Sequence, residues 1–131
     1  MASLDDLSAQ FRTFWAERHL ATLTTRRPDG SPHVVPVGVT FDATSRLARV
    51  ICSGSSRKAR NVADAGGPTR VAVCQVDGRR WSTLEGMAVI RTDRDSVAEA
   101  ERRYAERYRQ PRENPARVVI EFVVDRVLGL T

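Results

Sequence analysis

Serine, glycine and basic residues follow one another after the third predicted strand. This apolar strand, residues 47–52, runs into Ser53-Gly54-Ser55-Ser56, and Arg57, Lys58 and Arg60 come directly after it. Unpaired N–H groups at a helix start, hydroxyl groups and cations are the groups that bind a phosphate in proteins. Basic residues in a first helical turn oppose the helix dipole unless an anion lies there. We therefore expect a phosphate site here, with an ordinary capped amphipathic helix as the alternative.

Lysine occurs once in the chain. Of the 21 basic residues, only Lys58 is not an arginine. An ammonium group is a compact charge with three rotatable donors, whereas a guanidinium group is a rigid planar fork. A single lysine retained among arginines predicts that Lys58 contacts the phosphate. Retention by chance is the alternative.

The composition is that of one globular domain of 131 residues, with 41% hydrophobic and 28% charged residues. The net charge is +5, and such a surplus of cations is compatible with nucleic-acid binding. However, the basic residues are spread along the chain beside 16 acidic ones, and no nucleic-acid-binding motif occurs. A small anionic ligand accounts for the surplus equally well, so we expect no nucleic-acid partner.

Cysteine and histidine give no sign of a metal centre. Cys52 and Cys74 lie inside apolar runs, where they are expected to be small buried hydrophobic residues, and His19 and His33 are far apart in the sequence. Asp5 lies where a secretory signal would have its apolar segment, and no run reaches the length of a membrane span. We expect a cytoplasmic protein without a membrane partner.

Hydrophobic periodicity predicts three helices and six strands. Ser3 and Asp6 resemble a capping box at the start of an N-terminal helix over about 4–17, which His19 closes. The other predicted helices cover 56–65 and 95–109, and the predicted strands cover 20–25, 33–41, 47–52, 71–76, 80–91 and 117–128. Asp77-Gly78 predicts a hairpin, and tight connections between so many short strands favour a small closed β-barrel with helices outside it.

The strand predicted at 33–41 contains Pro36 and Gly38. Proline cannot donate a hydrogen bond to a neighbouring strand, so Pro36 marks an edge, a bulge or an opening of the sheet. Gly38 allows another group to come close to the backbone. A bent strand of a barrel and a strand along which a flat ligand lies are both compatible with this pattern.

Four segments together resemble one known family. They are residues 21–25, 29–37, 57–61 and 84–86, and their order resembles that of the pyridoxamine 5'-phosphate oxidase-like split β-barrel proteins, which bind flavins or deazaflavins. Residues 77–81 and 107–115 resemble the branch that uses the deazaflavin coenzyme F420, biliverdin reductases included. The resemblance implies a single split β-barrel over 1–131, mainly β with α, of the FMN-binding type. It also implies a homodimer with the cofactor at the subunit interface.

The resemblance also implies a set of binding residues. Lys58 would bind the cofactor phosphate, and Pro36 and Val37 would pass the ring with backbone groups. The remaining expected cofactor contacts are Ser53, Ser56, Arg57 and Asn61 near the phosphate, with Gln75 and Trp81 from the pocket wall or the neighbouring subunit. Arg79 and Arg80, at the tip of the predicted hairpin, are the candidate substrate-binding residues.

No nucleophile, paired carboxylate or metal cluster is apparent, which agrees with a protein that binds and orients a redox cofactor. The resemblance implies hydride transfer from reduced F420 to a conjugated small molecule, with biliverdin, reduced to bilirubin, as one candidate acceptor. An FMN-dependent oxidase or reductase on the same scaffold is an alternative. So is a non-enzymatic carrier of a flavin, a deazaflavin or a haem-derived ligand.

Overall fold

The computed structural model describes residues 4–131, which form three α-helices and seven strands. The helices are α1 (Ala9–Ala16), α2 (Arg57–Ala63) and α3 (Arg94–Arg107), and Leu4–Asp6 forms a short 3-10 turn. The strands are β1 (Ala21–Arg26), β2 (Pro32–Val37), β3 (Thr40–Asp42), β4 (Leu47–Ser53), β5 (Thr69–Asp77), β6 (Arg80–Arg91) and β7 (Arg117–Gly129). All strand pairs are antiparallel, which confirms the predicted mainly β class.

The N-terminal helix is shorter than predicted. Ser8 is its N-cap, because the Ser8 Oγ accepts a hydrogen bond from the Phe11 N–H at 3.1 Å. The helix therefore begins at Ala9 instead of residue 4, and it ends at Ala16 because Glu17 is extended. Of the predicted capping box, Ser3 lies outside the described residues, and Asp6 belongs to the 3-10 turn. The predicted apolar stripe is nevertheless buried against the sheet, as Phe11, Phe14 and Trp15 show.

The strand predicted at 33–41 is two strands, so the sheet has seven strands instead of six. The interruption lies at Val39, whose N–H donates to the Tyr108 hydroxyl at 3.1 Å and whose carbonyl accepts from Arg107. The backbone of Val39 is thus paired with side chains at the end of α3 instead of with a strand. Gly38 permits this, because a Cβ there would lie 2.8 Å from a ring carbon of Tyr104.

The strand order is β2-β1-β5-β6-β7-β4-β3, which places β2 and β3 at the two edges of the sheet. Only Gly38 and Val39 separate these edge strands in the chain, so the sheet must curl round to bring its edges together. No strand ladder joins β2 to β3 in residues 4–131. The barrel is therefore split at this point and not closed, and Pro36 lies on an edge strand as expected.

Glycines mark two local features of the longest hairpin. Asp77 pairs with Arg80 across a two-residue turn, and Gly78 in this turn has a positive φ of 62°. The register of β6 shifts between Glu85 and Gly86, where a Cβ would lie 2.2 Å from the Val123 carbonyl oxygen. Both features agree with the turn and the interruption predicted from the sequence.

α3 lies outside the barrel on β4 and β7. Ile120 belongs to the core of the barrel, whereas its neighbour Val119 faces the other side, and both side chains are fully buried. Coverage of the outer side by α3 explains this burial on both faces of β7. Cys52 is buried as predicted, but Cys74 is only half-buried, because it lies on the outward side of β5. No helix in residues 4–131 has the length and apolar character needed to cross a membrane.

Candidate functional site

A cavity of about 360 Å³ opens where the barrel is split. One side of it is formed by Pro36, Val37 and Gly38 at the end of β2, and the facing side by the last residues of β4, Ile51, Cys52 and Ser53. Lys58 of α2 and Tyr104 of α3 also line it. The cavity therefore unites Pro36, Val37, Ser53 and Lys58, which the sequence nominated as one site.

The wall of this cavity is strongly cationic. Arg109, Arg112 and Arg117 line it together with Lys58, and no aspartate or glutamate does. Arg117 is neutralised by Glu101, with 2.6 Å between Nη1 and Oε2. No carboxylate of residues 4–131 forms an ion pair with the other three cations. Their positive charge is available to an anionic ligand.

Hydroxyl groups at the turn from β4 to α2 have distinct roles. The Ser56 hydroxyl caps α2 by accepting from the Ala59 N–H, and it donates to the Ser53 carbonyl at 2.7 Å. Its hydrogen is therefore used within the turn, and Ser56 does not line the cavity, so its contact with a phosphate stays a prediction. The Ser53 hydroxyl accepts from Asn114 Nδ2 at 2.9 Å, and this leaves its hydrogen for a ligand.

Asn61 and Arg57 lie away from the cavity. Asn61 is buried, and its amide donates to the Thr25 hydroxyl on β1 at 3.0 Å while its carbonyl accepts from Arg57. Asn61 lines a different cavity, of about 400 Å³, beside Arg27. The residues predicted to bind the phosphate therefore lie on two sides of α2. The Asn61 amide attaches the helix to the sheet, and Asn61 does not line the cavity that contains Lys58.

Gln75 does not line the cavity either. Its side chain is only 1% exposed, and both ends are used. The amide donates to the Phe14 carbonyl at 2.9 Å, and the side-chain oxygen accepts from Arg107 at 2.8 Å. In this chain the Gln75 side chain therefore supports the packing of α1 and α3 on the barrel, and its contact with a cofactor stays a prediction.

The tip of the β5–β6 hairpin does not reach the cavity of its own chain. Arg80 pairs with Asp77 and with Glu17, at 2.6 Å and 3.1 Å, and its guanidinium lies 4.7 Å from the centre of the Phe14 ring. Arg80 was predicted to bind substrate, and in this chain its charge is balanced by these two carboxylates instead. Arg79 and Trp81 are exposed, and neither lines the cavity.

Burial controls the titration of two groups near the site. It raises the pKa of the Cys52 thiol, and the hydrogen bond of Ser56 and the charge of Lys58 oppose the rise less strongly. Burial and then the charges of Arg27, Lys58 and Arg57 lower the pKa of His33, so this histidine is neutral near pH 7. Cys52 is therefore a protonated wall residue and not a nucleophile.

Sequence analysis missed the part of the site that follows α3. Tyr104, Arg109, Arg112 and Asn114 line the cavity, yet residues 107–115 were noted only as a family resemblance. A signal was present, because arginines at 109, 112 and 117 surround a proline-containing loop that carries a single acidic residue. This cluster does not stand out in the sequence, because basic residues occur along the whole chain.

The fold defines the class of the protein, a split β-barrel, with a cationic cavity where the barrel is split. The family model described as pyridoxamine 5'-phosphate oxidase matches residues 7–131, and the chain belongs to that family. It is 56% identical over 123 residues to the F420H(2)-dependent biliverdin reductase of Mycobacterium tuberculosis (strain CDC 1551 / Oshkosh). This match covers 94% of the chain and 88% of the relative.

Solved structures share the fold at low sequence identity. An F420 reductase has a TM-score of 0.70 and 21% identity, and the match covers 93% of this chain and 98% of that protein. A conserved hypothetical protein of Mycobacterium tuberculosis has a TM-score of 0.76 and 24% identity, with 97% and 83% covered. A heme storage protein of Vibrio cholerae has a TM-score of 0.71 and 16% identity, with 94% of each chain covered.

Proposed function

We propose that this protein is an F420-dependent oxidoreductase that transfers a hydride from the reduced deazaflavin to a conjugated acceptor, with biliverdin as the first candidate. The cavity carries this proposal, because its charged lining residues in 4–131 are all cations and suit a ligand with a phosphate and further acidic groups. The relative with 56% identity, named for F420H(2) and biliverdin, supports the choice of cofactor and acceptor.

The residues of the cavity suit a phosphorylated deazaflavin. Lys58 would hold the phosphate as a point charge, and the Ser53 hydroxyl has a hydrogen to donate to it. Pro36 and Val37 would lie beside the ring, where an edge strand gives a flat ligand access to the backbone. When bound, F420 supplies the hydride. The protein's tasks are to bind, to orient and to keep water away.

A homodimer with shared sites is part of the proposal. Strands β5, β6 and β7 carry exposed apolar side chains on their outward side. They are Val76, Trp81, Met87, Val123 and Leu128. A second copy would cover this surface, and Trp81 would then be available to the partner's cavity. Light scattering at micromolar concentration should give twice the chain mass. A monomer that binds the cofactor at full affinity would contradict the shared site.

Turnover tests the enzyme against its alternatives. Reduced F420 should be oxidised when the protein and biliverdin are both present, and reduced FMN should support far less turnover. Controls without protein and without biliverdin measure the background reaction. Binding of FMN with much higher affinity than F420 would favour the flavin enzyme. Tight binding of F420 without turnover of any conjugated acceptor would favour the carrier.

We place the protein in the cytoplasm, where reduced cofactor is available and two free cysteines are stable.

A further inference from the structure

The loop that joins α3 to β7 brings two arginines into the cavity that contains Lys58. Arg109 and Arg112 line this cavity from the loop, with Pro111 between them. Neither arginine forms an ion pair with a carboxylate of residues 4–131, although many other arginines of the chain do. Two exposed guanidinium groups without acidic partners, in a cavity that no acidic residue of 4–131 lines, are available to a ligand charge beyond one phosphate.

The loop is held in position by hydrogen bonds to the opposite wall. Asn114 donates to the Ser53 hydroxyl at 2.9 Å, and the Gly54 N–H donates to the Ala116 carbonyl at 2.9 Å. The Asn114 side-chain oxygen also accepts from the Ala116 N–H at 3.0 Å. The segment that carries the two arginines is thus attached to the same turn that carries the expected phosphate contact. Such attachment reduces the ordering cost when a ligand binds.

We propose that Arg109 and Arg112 bind a carboxylate of a ligand in this cavity, whether acceptor or cofactor, and that Lys58 binds the phosphate of the cofactor. The inference rests on the proposed function and assigns a separate role to the loop. A guanidinium group matches the two oxygens of a carboxylate with parallel hydrogen bonds, whereas an ammonium group binds phosphate as a point charge. This assignment replaces Arg80, whose charge is already balanced by Asp77 and Glu17.

Two parts of the reacting system supply carboxylates. One is a propionate group of the acceptor, and the other is the acidic tail of F420. The loop would recognise the carboxylate group that both have in common. The two sources are separated by ligands from which the carboxylates of one source have been removed. Biliverdin and its dimethyl ester differ in the acceptor's carboxylates, and F420 with and without its acidic tail differs in those of the cofactor.

The test measures binding by titration with Arg109→Gln, Arg112→Gln and the double variant. Glutamine keeps hydrogen-bonding groups and removes the charge. Arg12→Gln is the matched control, because Arg12 is exposed on α1 outside the cavity and the variant has the same net charge as either single variant. We expect the double variant to lose about tenfold to a hundredfold in affinity for the carboxylated member of one ligand pair. The member without carboxylates should bind with unchanged affinity, as should every ligand to Arg12→Gln.

The outcomes decide between the sources and can reject the proposal. Loss for biliverdin but not for its ester assigns the pair to the acceptor, and loss for F420 but not for its tailless form assigns it to the cofactor. Equal losses for both members of both pairs, or wild-type affinity throughout, would overturn the proposal. If the protein fails to bind F420 but the arginine dependence on biliverdin remains, the proposed function is wrong and this inference stands. Thermal unfolding of each variant verifies that it is folded.

Discussion

Arg107 and Arg109 are two residues apart, yet their guanidinium groups have opposite surroundings. The Arg107 side chain is buried, and it donates to the carbonyls of Glu17 and Val39 and to the side-chain oxygen of Gln75. It also lies against the rings of Trp15 and Tyr108. Arg109 is exposed in the cavity and has no carboxylate partner in residues 4–131.

This difference separates a structural cation from binding cations. The donors of Arg107 are directed at neutral oxygens from three segments: the residue after α1, the connection between β2 and β3, and β5. Arg107 therefore supports the junction of these segments with α3. Burial lowers the pKa of Arg107, whereas the neighbouring Tyr108 and Glu17 oppose that effect. Arg109 and Arg112 contribute little to that junction and leave their donors for a ligand. The many arginines of this chain therefore include residues that stabilise the fold and residues that are available to a ligand. Only the surroundings of each residue distinguish the two kinds.

Replacement of Arg107 should have the largest effect of the variants that test this comparison, and the effect should be on stability. Arg107→Met keeps much of the side chain's volume but removes a donor from three acceptors, of which only the Val39 carbonyl has a second donor in residues 4–131, the Tyr108 hydroxyl. We therefore expect a loss of about 3 kcal/mol in the free energy of unfolding. Arg107→Lys should recover only part of the loss, because one ammonium group cannot reach all three oxygens. Urea denaturation measures the effect. Arg109→Gln serves as the control and should change stability by less than about 0.5 kcal/mol. Equal losses in the two variants would remove the distinction.

Lys58→Ala should give the next largest effect, on binding and not on folding. Removing a charged hydrogen bond to the phosphate should weaken F420 binding by about tenfold to a hundredfold. Unfolding should change little, because Lys58 forms no ion pair with the described residues. Arg12→Gln is the control, because it also removes one positive charge and Arg12 is exposed on α1 outside the cavity. An unchanged dissociation constant for Lys58→Ala, or an equal loss for Arg12→Gln, would remove Lys58 from the site.

Local sequence signals predicted the parts of the molecule that depend on near neighbours. The β5–β6 hairpin is determined by Asp77-Gly78, and α2 by the serine that caps it. The split of β2 from β3 was not predictable in this way, because Val39 bonds Tyr108, which is 69 residues away. Strand propensity alone continues through Val39, and nothing near it in the sequence reports the side chains that replace a neighbouring strand.

The candidate site follows the same rule. Ser53 and Lys58 both line the cavity, because they belong to one contiguous turn and helix start. Asn61 and Gln75 do not line it, and their polar groups bond Thr25 and Arg107, which are 36 and 32 residues away. A polar residue in a motif resembles a ligand contact until its distant partner is known.

Gly38→Ala should produce a moderate effect on both stability and binding, because Gly38 lies between the cavity and the end of α3. A Cβ would lie 2.8 Å from a ring carbon of Tyr104 and 3.2 Å from one of Tyr108, so both rings must shift. We expect a loss of about 1–2 kcal/mol in the free energy of unfolding, and weaker cofactor binding because Tyr104 lines the cavity. Gly67→Ala is the control, since nothing lies within 4 Å of a Cβ there. If the two variants are equally stable, the rings do not restrict position 38.

The smallest expected effect concerns Glu99, on the solvent side of α3. Hydrogen bonds from Arg102 and then from Arg103 lower its pKa from 4.5 to about 2. Because the folded-state pKa is the lower one, the stabilisation is present above about pH 4.5 and is lost as the pH falls towards 2. The pair is exposed, so solvent screening should limit the contribution to less than about 1 kcal/mol. Glu99→Gln should therefore be slightly less stable than wild type near neutral pH, and this difference in the free energy of unfolding should narrow at about pH 3.

Glu113→Gln is the control, because Glu113 is exposed and forms no ion pair with the described residues. It should have the stability of wild type at both pH values. A gap for Glu99→Gln that stays constant or widens on acidification would show that the arginines on this side of α3 do not stabilise the carboxylate.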